Sequence, residues 1–400
     1  MILSSTNTYW NSINKAYKLY PTLNSNQKCD VIVIGGGITG CLITYYLSQY
    51  NLNTILIEKN LIAHGNTAAD SSILKYDMEL QKLINYIGKK KAVRIYKLCQ
   101  KSIDDIENIL YNIKKVCDFE KKNCIYLSNH PEKDDFIEKE FKLRKELGFD
   151  VQFMNKNQME SYFPFCCYSG ILSNNYGIID PFKFCHALLK SSTKKGVKIY
   201  ENTTAISYDY SSNIMRVNTD KGHHIHCKKI VFADSFLCYN LINESNLIKL
   251  KNTYSIITNP ISSTESWYKK CIILESDYPH MHITSTKDNR ILASGFDDDF
   301  NSNNSSIDNL GKKAASIKKV LENMYPHINN IKIDYLGNRI FTQTEDNIPI
   351  IGEHPKFPNC YFNLGFDKNS TIYSVISGQI IKDLILYNNN PDAEIFSFNR

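Results

Sequence analysis

The sequence predicts an α/β (α+β mixed) fold, in which a parallel nucleotide-binding domain is interleaved with a smaller domain built on an antiparallel or mixed sheet with helices. Three observations point to it. A strand, a glycine turn, a helix and a second strand follow one another from Cys29 to Lys59. Short β-branched runs then alternate with amphipathic helical stretches through the middle of the chain. A final strand, turn and helix between Cys360 and Leu386 can return to the first sheet and bring another helix N-terminus to the same site.

The first unit carries the most information. Val31 to Ile34 is a β-branched run, and Gly35, Gly37 and Gly40 follow with GxGxxG spacing at the start of a helix. Gly35 permits the sharp turn out of the strand, Gly37 lets a pyrophosphate approach the backbone, and Gly40 lets the helix pack closely on the sheet. The N–H groups of the first turn, at Ile38 and Thr39, face the phosphates with the positive end of the helix dipole behind them. Leu52 to Ile57 supplies the next strand, and Glu58 at its end lies 18 residues after Gly40, where a carboxylate accepts from ribose hydroxyls. Together these features make a Rossmann-like dinucleotide site. Val31 to Ile57 holds no charged residue, but three consecutive glycines and the polar run from Ser48 to Thr54 exclude an integral membrane span.

Composition bounds the rest. Four hundred residues exceed a typical single core, and 42% hydrophobic with 22% charged residues is ordinary for a globular chain. The net charge of +6 is spread over short lysine clusters, such as Lys89 to Lys91 and Lys194-Lys195, which read as solvated faces and not as a nucleic-acid surface. None of the twelve cysteines forms a CxxC pair, and Met1 to Lys28 has no apolar leader, so reduced thiols and a cytoplasmic location are expected. His223, His224 and His226 lie in an alternating stretch without an accompanying carboxylate, which reads as a surface strand; no metal site is expected. His280 and His282 alternate similarly and are candidate pocket residues.

Taken in order, Tyr9-Trp10 and Pro21 mark a lead-in arm packed on the domain surface. His64 to Ser72 is a small-residue loop, read either as lying against a flat cofactor or as a plain connection. Leu80 to Lys115 shows helical periodicity; Cys124–Leu127 reads as a strand, Lys133–Leu147 as a helix and Asp150–Met154 as a strand. Asp180-Pro181 opens a helix as N-cap and first-turn proline. Further strands are expected at 197–200, 205–208, 214–219, 225–233, 255–258, 271–275, 281–284 and 290–294. Asp297 to Asp299 and the Asn/Ser run 301–306 read as an exposed loop, and Ile317–Met324 as a helix.

DVIVIGGGITG with Glu58, the DNIPIIG block at 346–352 and the closing YFNLGF with its helix resemble the glycine oxidase and D-amino-acid oxidase-like family of FAD-dependent oxidoreductases. Within it the chain is most similar to the bacterial branch related to gamma-glutamylputrescine oxidase, whose members carry a similar Tyr-Trp and proline lead-in. The resemblance implies noncovalent FAD and a discontinuous architecture: an N-terminal arm at 1–28, an FAD-binding domain from 29–80, 150–235 and 336–400, and a substrate domain from 81–149 and 236–335. It implies oxidation of a C–N bond in an amine or amino-acid-like small molecule, with an imine that hydrolyses and electrons passed to oxygen or another acceptor. Carried over by position, Gly35, Gly37, Ile38, Thr39 and Gly40 hold the pyrophosphate. Glu58 and Lys59 serve the adenosine ribose end, and Ala205 contacts adenine through its backbone. Asn66 and Thr67 line pyrophosphate and flavin. Gly365, Asp367, Lys368, Asn369, Ser370 and Thr371 follow the flavin's pyrimidine edge, with Ala233 and Gly337 as further contacts.

The chain departs from that family pattern at several positions. The usual Ala-Thr-Gly after strand 230–232 is Ala233-Asp234-Ser235, which sets a carboxylate near a phosphate-bearing ligand. The glycine-rich turn before the last helix is Asp367-Lys368-Asn369-Ser370, where left-handed backbone costs a non-glycine residue about 1 kcal/mol or more. Arg339 stands where sarcosine-oxidase-type relatives carry a flavin-linking cysteine, which excludes attachment there, and Ile372 stands where they carry a substrate-clamping lysine. Arg339 reads equally as an anion clamp or as a surface strand residue, and Lys368 as a cation beside the reduced flavin or as an exposed lysine. The catalytic residues are not identified by pattern; Arg339, Lys368, His280 and His282 are the candidates. A second class stands beside the enzyme: a flavin-depleted member of the fold acting as a binding or structural protein.

Overall fold

A computed structural model of the chain describes residues 8–14, 17, 19–76, 79–210, 214–242, 247–261, 267–300, 307–328 and 330–400. Its strands form sheets of six, four and nine. In the six-stranded sheet the order is Ile350–His354, Phe357–Leu364, Lys229–Phe232, Val31–Ile34, Thr54–Ile57, Lys198–Tyr200. All neighbours are parallel except the first pair. Val31–Ile34 and Thr54–Ile57 are buried at every position, as the unbroken apolar runs require of strands covered on both faces. The helices Ile38–Ser48, Pro181–Thr193 and Ser370–Tyr387 are the chief cover on one side. The first and last of these approach closely at Gly378, where a Cβ would strike the Tyr46 ring, and their Thr39 and Ser374 hydroxyls meet at 2.8 Å.

The four-stranded sheet runs Gln27–Lys28, His224–Cys227, Met215–Thr219, Ala205–Asp209. The expected single strand 225–233 is therefore two strands in different sheets. The N–H groups of Lys228 and Lys229 both bond the Asp30 carbonyl, at 3.1 and 3.0 Å, and the chain steps from one sheet to the other there.

The nine-stranded sheet is mixed. Its order is Ile333–Thr344, Ile248–Thr258, Ile291–Asp299, His282–Ser285, Ile272–Glu275, Glu120–Ser128, Ser169–Ile178, Ile73–Leu74, with Val151–Met154 also paired to Ser169–Ile178. Only Ile272–Glu275 with Glu120–Ser128 is parallel. The stretch 150–235 is thus divided between sheets, because 151–154 and 169–178 pair here; so do 73–74 and 336–344. Local pattern locates strands but not their partners. Ser169–Ile178 itself escapes pattern reading: Ser173, Asn174 and Asn175 interrupt its apolar alternation, and Asn175 takes left-handed backbone at φ 63°.

Two further expectations change. Asp297 to Asp299 is the end of strand Ile291–Asp299 and not a loop, since each acid meets a lysine: Asp297 with Lys368 at 2.5 Å, Asp298 with Lys313 at 3.0 Å, Asp299 with Lys251 at 2.7 Å. The run 301–306 lies outside the described residues. The arm is not a surface appendage at Tyr9 and Trp10, which are buried in the main core. Among the described residues no helix is long and apolar enough to cross a membrane, and no cluster of three or more His, Cys, Asp or Glu side chains could hold a metal ion. All twelve cysteines are free, and Cys166 alone is exposed.

The closest backbone contact in the first unit is at Gly40, where a Cβ would collide with the carbonyl oxygen of Gly35. A backbone atom cannot swing aside as a side chain can. Gly40→Ala is expected to cost roughly 1–3 kcal/mol of stability in denaturant melts; an unchanged midpoint would show that the helix and turn are not in contact.

Candidate active site

The glycine turn has the form that the spacing predicts. Gly35 adopts φ 114°, and a Cβ there would press on Ala233 and the Asp234 nitrogen at 3.1–3.3 Å. Gly37 is the N-cap of the helix Ile38–Ser48 and supplies no side-chain cap. The Thr67 hydroxyl takes that role by accepting from the Ile38 N–H at 3.0 Å. Glu58 accepts from the N–H groups of Gly36 (2.6 Å) and Asn60 (2.8 Å). Burial pushes its carboxyl above the usual range, and those backbone donors oppose the push. Thr203 donates its N–H to the Glu58 carbonyl at 2.9 Å, which brings Ala205, two residues on, beside the end of that strand.

Asp234 does not obstruct this turn. Its Oδ1 accepts from the Phe236 and Leu237 N–H groups at 3.0 and 3.2 Å, capping the helix Ser235–Ile242, and Oδ2 pairs with Lys59 at 2.8 Å. The carboxylate is spent on a helix end and a lysine, so its charge is answered locally.

Beyond the turn, a second cluster forms where four segments converge. Asn66 to Ala69 is a 3-10 turn, and the Asn66 amide donates to the Ile340 carbonyl at 2.6 Å. Asp70 is buried; one carboxylate oxygen accepts from the Ser72 N–H at 2.9 Å, the other from the Ser370 hydroxyl at 2.9 Å and from Arg339. Arg339 is therefore neither a surface residue nor a free anion clamp. In the turn before the last helix only Asp367 is left-handed, at φ 48°; Asn369 has φ −109° and Ser370 is already helical. Gly365, at φ 72°, lies where a Cβ would press on Thr344, and Gly337 lies where one would strike the Ser255 hydroxyl. Around this cluster the buried atoms Asn66 Oδ1, Asn338 Oδ1, Arg339 Nε and both amide atoms of Asn369 have no protein partner. Such groups are costly to leave unsatisfied, and this mixed set of donors and acceptors suits the carbonyl and N–H edge of a flavin. The residues fit the cofactor.

Next to the cluster, between the nine-stranded sheet and the turn carrying Asp367 and Lys368, lies a cavity of about 250 Å³. It brings Lys368, His280 and His282 together and leaves Arg339 out of its lining. His282 is buried, and burial with the nearby Lys75 and Lys368 charges drives its pKa well below the ordinary histidine value. His280 is lowered too, by burial and then by Lys368. Both rings are neutral near pH 7. Lys368 is buried, not exposed; burial lowers its pKa while Asp297 opposes this. The cavity also holds residues that pattern reading missed, above all Lys75, Glu79 and Glu275. Glu79 pairs with Lys82 and accepts from the Tyr126 hydroxyl at 3.2 Å. Glu140 accepts from the N–H groups of Leu80 and Gln81 at 2.9 and 3.1 Å and so anchors the helix Leu80–Ile87 along the cavity wall. Nothing local distinguishes Lys75 or Glu275 in the sequence; only strand pairing brings them to one cavity.

The Asp70–Arg339 pair is buried at both ends, so deleting one partner leaves the other charge without compensation. Asp70→Ala is expected to destabilise by roughly 3–5 kcal/mol, and Asp70→Ala/Arg339→Met to recover most of that. Equal and additive losses in thermal or denaturant melts would mean that the two residues are not coupled.

The protein family described as FAD dependent oxidoreductase (DAO) matches residues 30–384. Glycine oxidase of Bacillus subtilis (strain 168) is 24% identical over 370 residues, covering 89% of this chain and 93% of that protein. Gamma-glutamylputrescine oxidoreductase of Escherichia coli (strain K12) is 21% identical over 400 residues, covering 98% and 90%. The crystal structure of glycine oxidase from Geobacillus kaustophilus superimposes with a TM-score of 0.79 at 17% identity, over 94% of this chain and 99% of that one. With this family model matching most of its length, the chain belongs to the DAO family of FAD-dependent oxidoreductases.

Proposed function

We propose that the protein oxidises the C–N bond of an amine or amino-acid-like small molecule that also carries an anionic group, with FAD held noncovalently. The observation that carries this reading is the charge pairing of the cavity. Lys82 is answered by Glu79 and Lys368 by Asp297, whereas half-buried Lys75 has no acidic partner among the described residues. Arg339 is committed to Asp70, so Lys75 is the cation left for a substrate carboxylate or other anion. The relatives named for glycine and for gamma-glutamylputrescine support the class, since both compounds combine an amine with a carboxylate.

In this reading the six- and four-stranded sheets hold FAD, and the nine-stranded sheet forms the substrate side. Gly35, Gly37 and the first turn at Ile38–Thr39 take the pyrophosphate, Glu58 the ribose, and Asn66, Asn369 and the Gly365–Thr371 turn the flavin. Bound FAD supplies a hydride acceptor and passes the electrons on to oxygen or another acceptor. The chain's own part is to fix the anionic end at Lys75, hold the carbon beside the amine toward the flavin edge, and exclude water from that contact.

The test begins with the visible spectrum of the purified protein before and after denaturation, with free FAD as standard. Flavin released into solution is expected. Anaerobic bleaching by glycine, N-methylglycine, 4-aminobutyrate and 6-aminohexanoate, which vary the spacing between nitrogen and carboxylate, then reads the substrate class. Lys75→Met is expected to raise KM for the best of these about 10- to 100-fold, the worth of one charged hydrogen bond, with a smaller change in the reduction rate. Failure of every amine to bleach the flavin would sink the amine reading; an unchanged KM would remove Lys75 from it.

A further inference from the structure

We propose that Glu275 is the cavity group that accepts the proton from the substrate's ammonium, delivering the neutral amine whose C–H is oxidised. The inference rests on the amine reading above. Glu275 closes the strand Ile272–Glu275 in the middle of the nine-stranded sheet, is buried, and lines the cavity. The Asn129 amide donates to its Oε1 at 2.9 Å. The Met281 backbone N–H also hydrogen-bonds the carboxylate, so two donors fix its orientation where it lines the cavity.

The chemistry requires such a group. An amine arrives near pH 7 as an ammonium ion, whose nitrogen has no lone pair to assist hydride loss from the neighbouring carbon. Transfer of one proton breaks an N–H bond and forms an O–H bond on the carboxylate, leaves the electron pair on nitrogen, and involves no change of oxidation state. The oxidation that follows is the activity already proposed.

Most of the other titratable groups around the cavity are unsuited to the step. His280 and His282 have been driven down to weak basicity by burial and the neighbouring lysines. Lys75 and Lys82 are cations, Lys368 is paired with Asp297, Glu79 is held by Lys82, and Asp346 by Arg400. Glu275 faces Asn129 and His130 from the loop after the neighbouring strand Glu120–Ser128, and Asp277 and Met281 from the loop after its own strand. Burial raises its pKa to about 7; the hydrogen bonds from Asn129 and the Met281 backbone and the neighbouring His130 oppose the rise, and Asp277 adds to it. A base poised there is half-ionised at neutral pH and protonated below it.

The test uses the FAD-loaded full chain and two readouts. In wild type, flavin reduction by the fastest of the four amino acids above is expected to rise with pH through a limb near 7. Glu275→Gln, with its flavin absorbance retained, should lose that limb and run about 100-fold slower at pH 7. The deficit should close as pH approaches the free amine's own pKa, where solution supplies neutral amine. Asn129→Ala should move the limb upward, because the carboxylate loses a donor. Independently of turnover, the infrared carboxylic-acid band absent from Glu275→Gln should titrate between pH 6 and 8 in wild type. A variant that keeps the wild-type pH profile, one slowed equally at all pH values, or a band titrating outside that range would each overturn the assignment. If none of the four amines reduces wild-type flavin, the amine reading fails first, while the infrared band still decides whether Glu275 is poised.

Discussion

Asp70 is the point on which the active-site half of the molecule depends. Four separate stretches of chain meet at this one residue. Trp10 of the N-terminal arm donates its indole N–H to the Asp70 carbonyl at 3.0 Å, and Ser72, Ser370 and Arg339 all address its carboxylate. Those partners come from the arm, the loop after the first nucleotide unit, the nine-stranded sheet and the C-terminal helix. A buried ion pair contributes little net stability compared with apolar packing, but it is unforgiving of misplacement. Here it ties the loop after the first nucleotide unit and the start of the C-terminal helix to the nine-stranded sheet. It also commits Arg339 to a carboxylate of the chain itself.

That cavity is an electrostatic arrangement more than an apolar pocket. Two of the three lysines that line it are matched with acids, and its histidines are kept neutral by burial beside positive charge. Two groups stand apart from this cancellation: a lysine with no acidic partner among the described residues and a buried carboxyl balanced near neutrality. An amine that also carries an anion presents the complementary pair. The same low dielectric that raises the Glu275 pKa strengthens whatever contacts a substrate makes there.

The departures from the family's usual glycine-rich segments are each absorbed by local physics. Asp234 would repel a pyrophosphate if it pointed inward, but capping a helix and pairing with Lys59 turn its charge to other uses. Asp367 takes the one left-handed position in its turn, a conformation that Asp tolerates better than most side chains. Lys368, beside it, is drawn inward by Asp297 at the end of a strand. These findings remove the physical grounds for reading the chain as a flavin-depleted relic.

The nucleotide unit can be read straight from the chain, because a β-branched run, three glycines at fixed spacing and a strand-terminal acid are all local requirements within about thirty residues. So can most helix and strand positions and, through resemblance, the family. Which sheet each strand joins, as with 169–178 and the divided stretch 225–233, emerges only from the fold, because strand partners are chosen by burial across the whole chain. The same holds for the site. Gly35, Gly40 and Glu58 were legible from their own neighbours, whereas Arg339 and Lys368 could be placed only once Asp70 and Asp297 were beside them. Lys75 and Glu275 carry no local signal, since a lysine after a short strand and a glutamate at the end of another acquire meaning only when the fold brings both to one cavity wall.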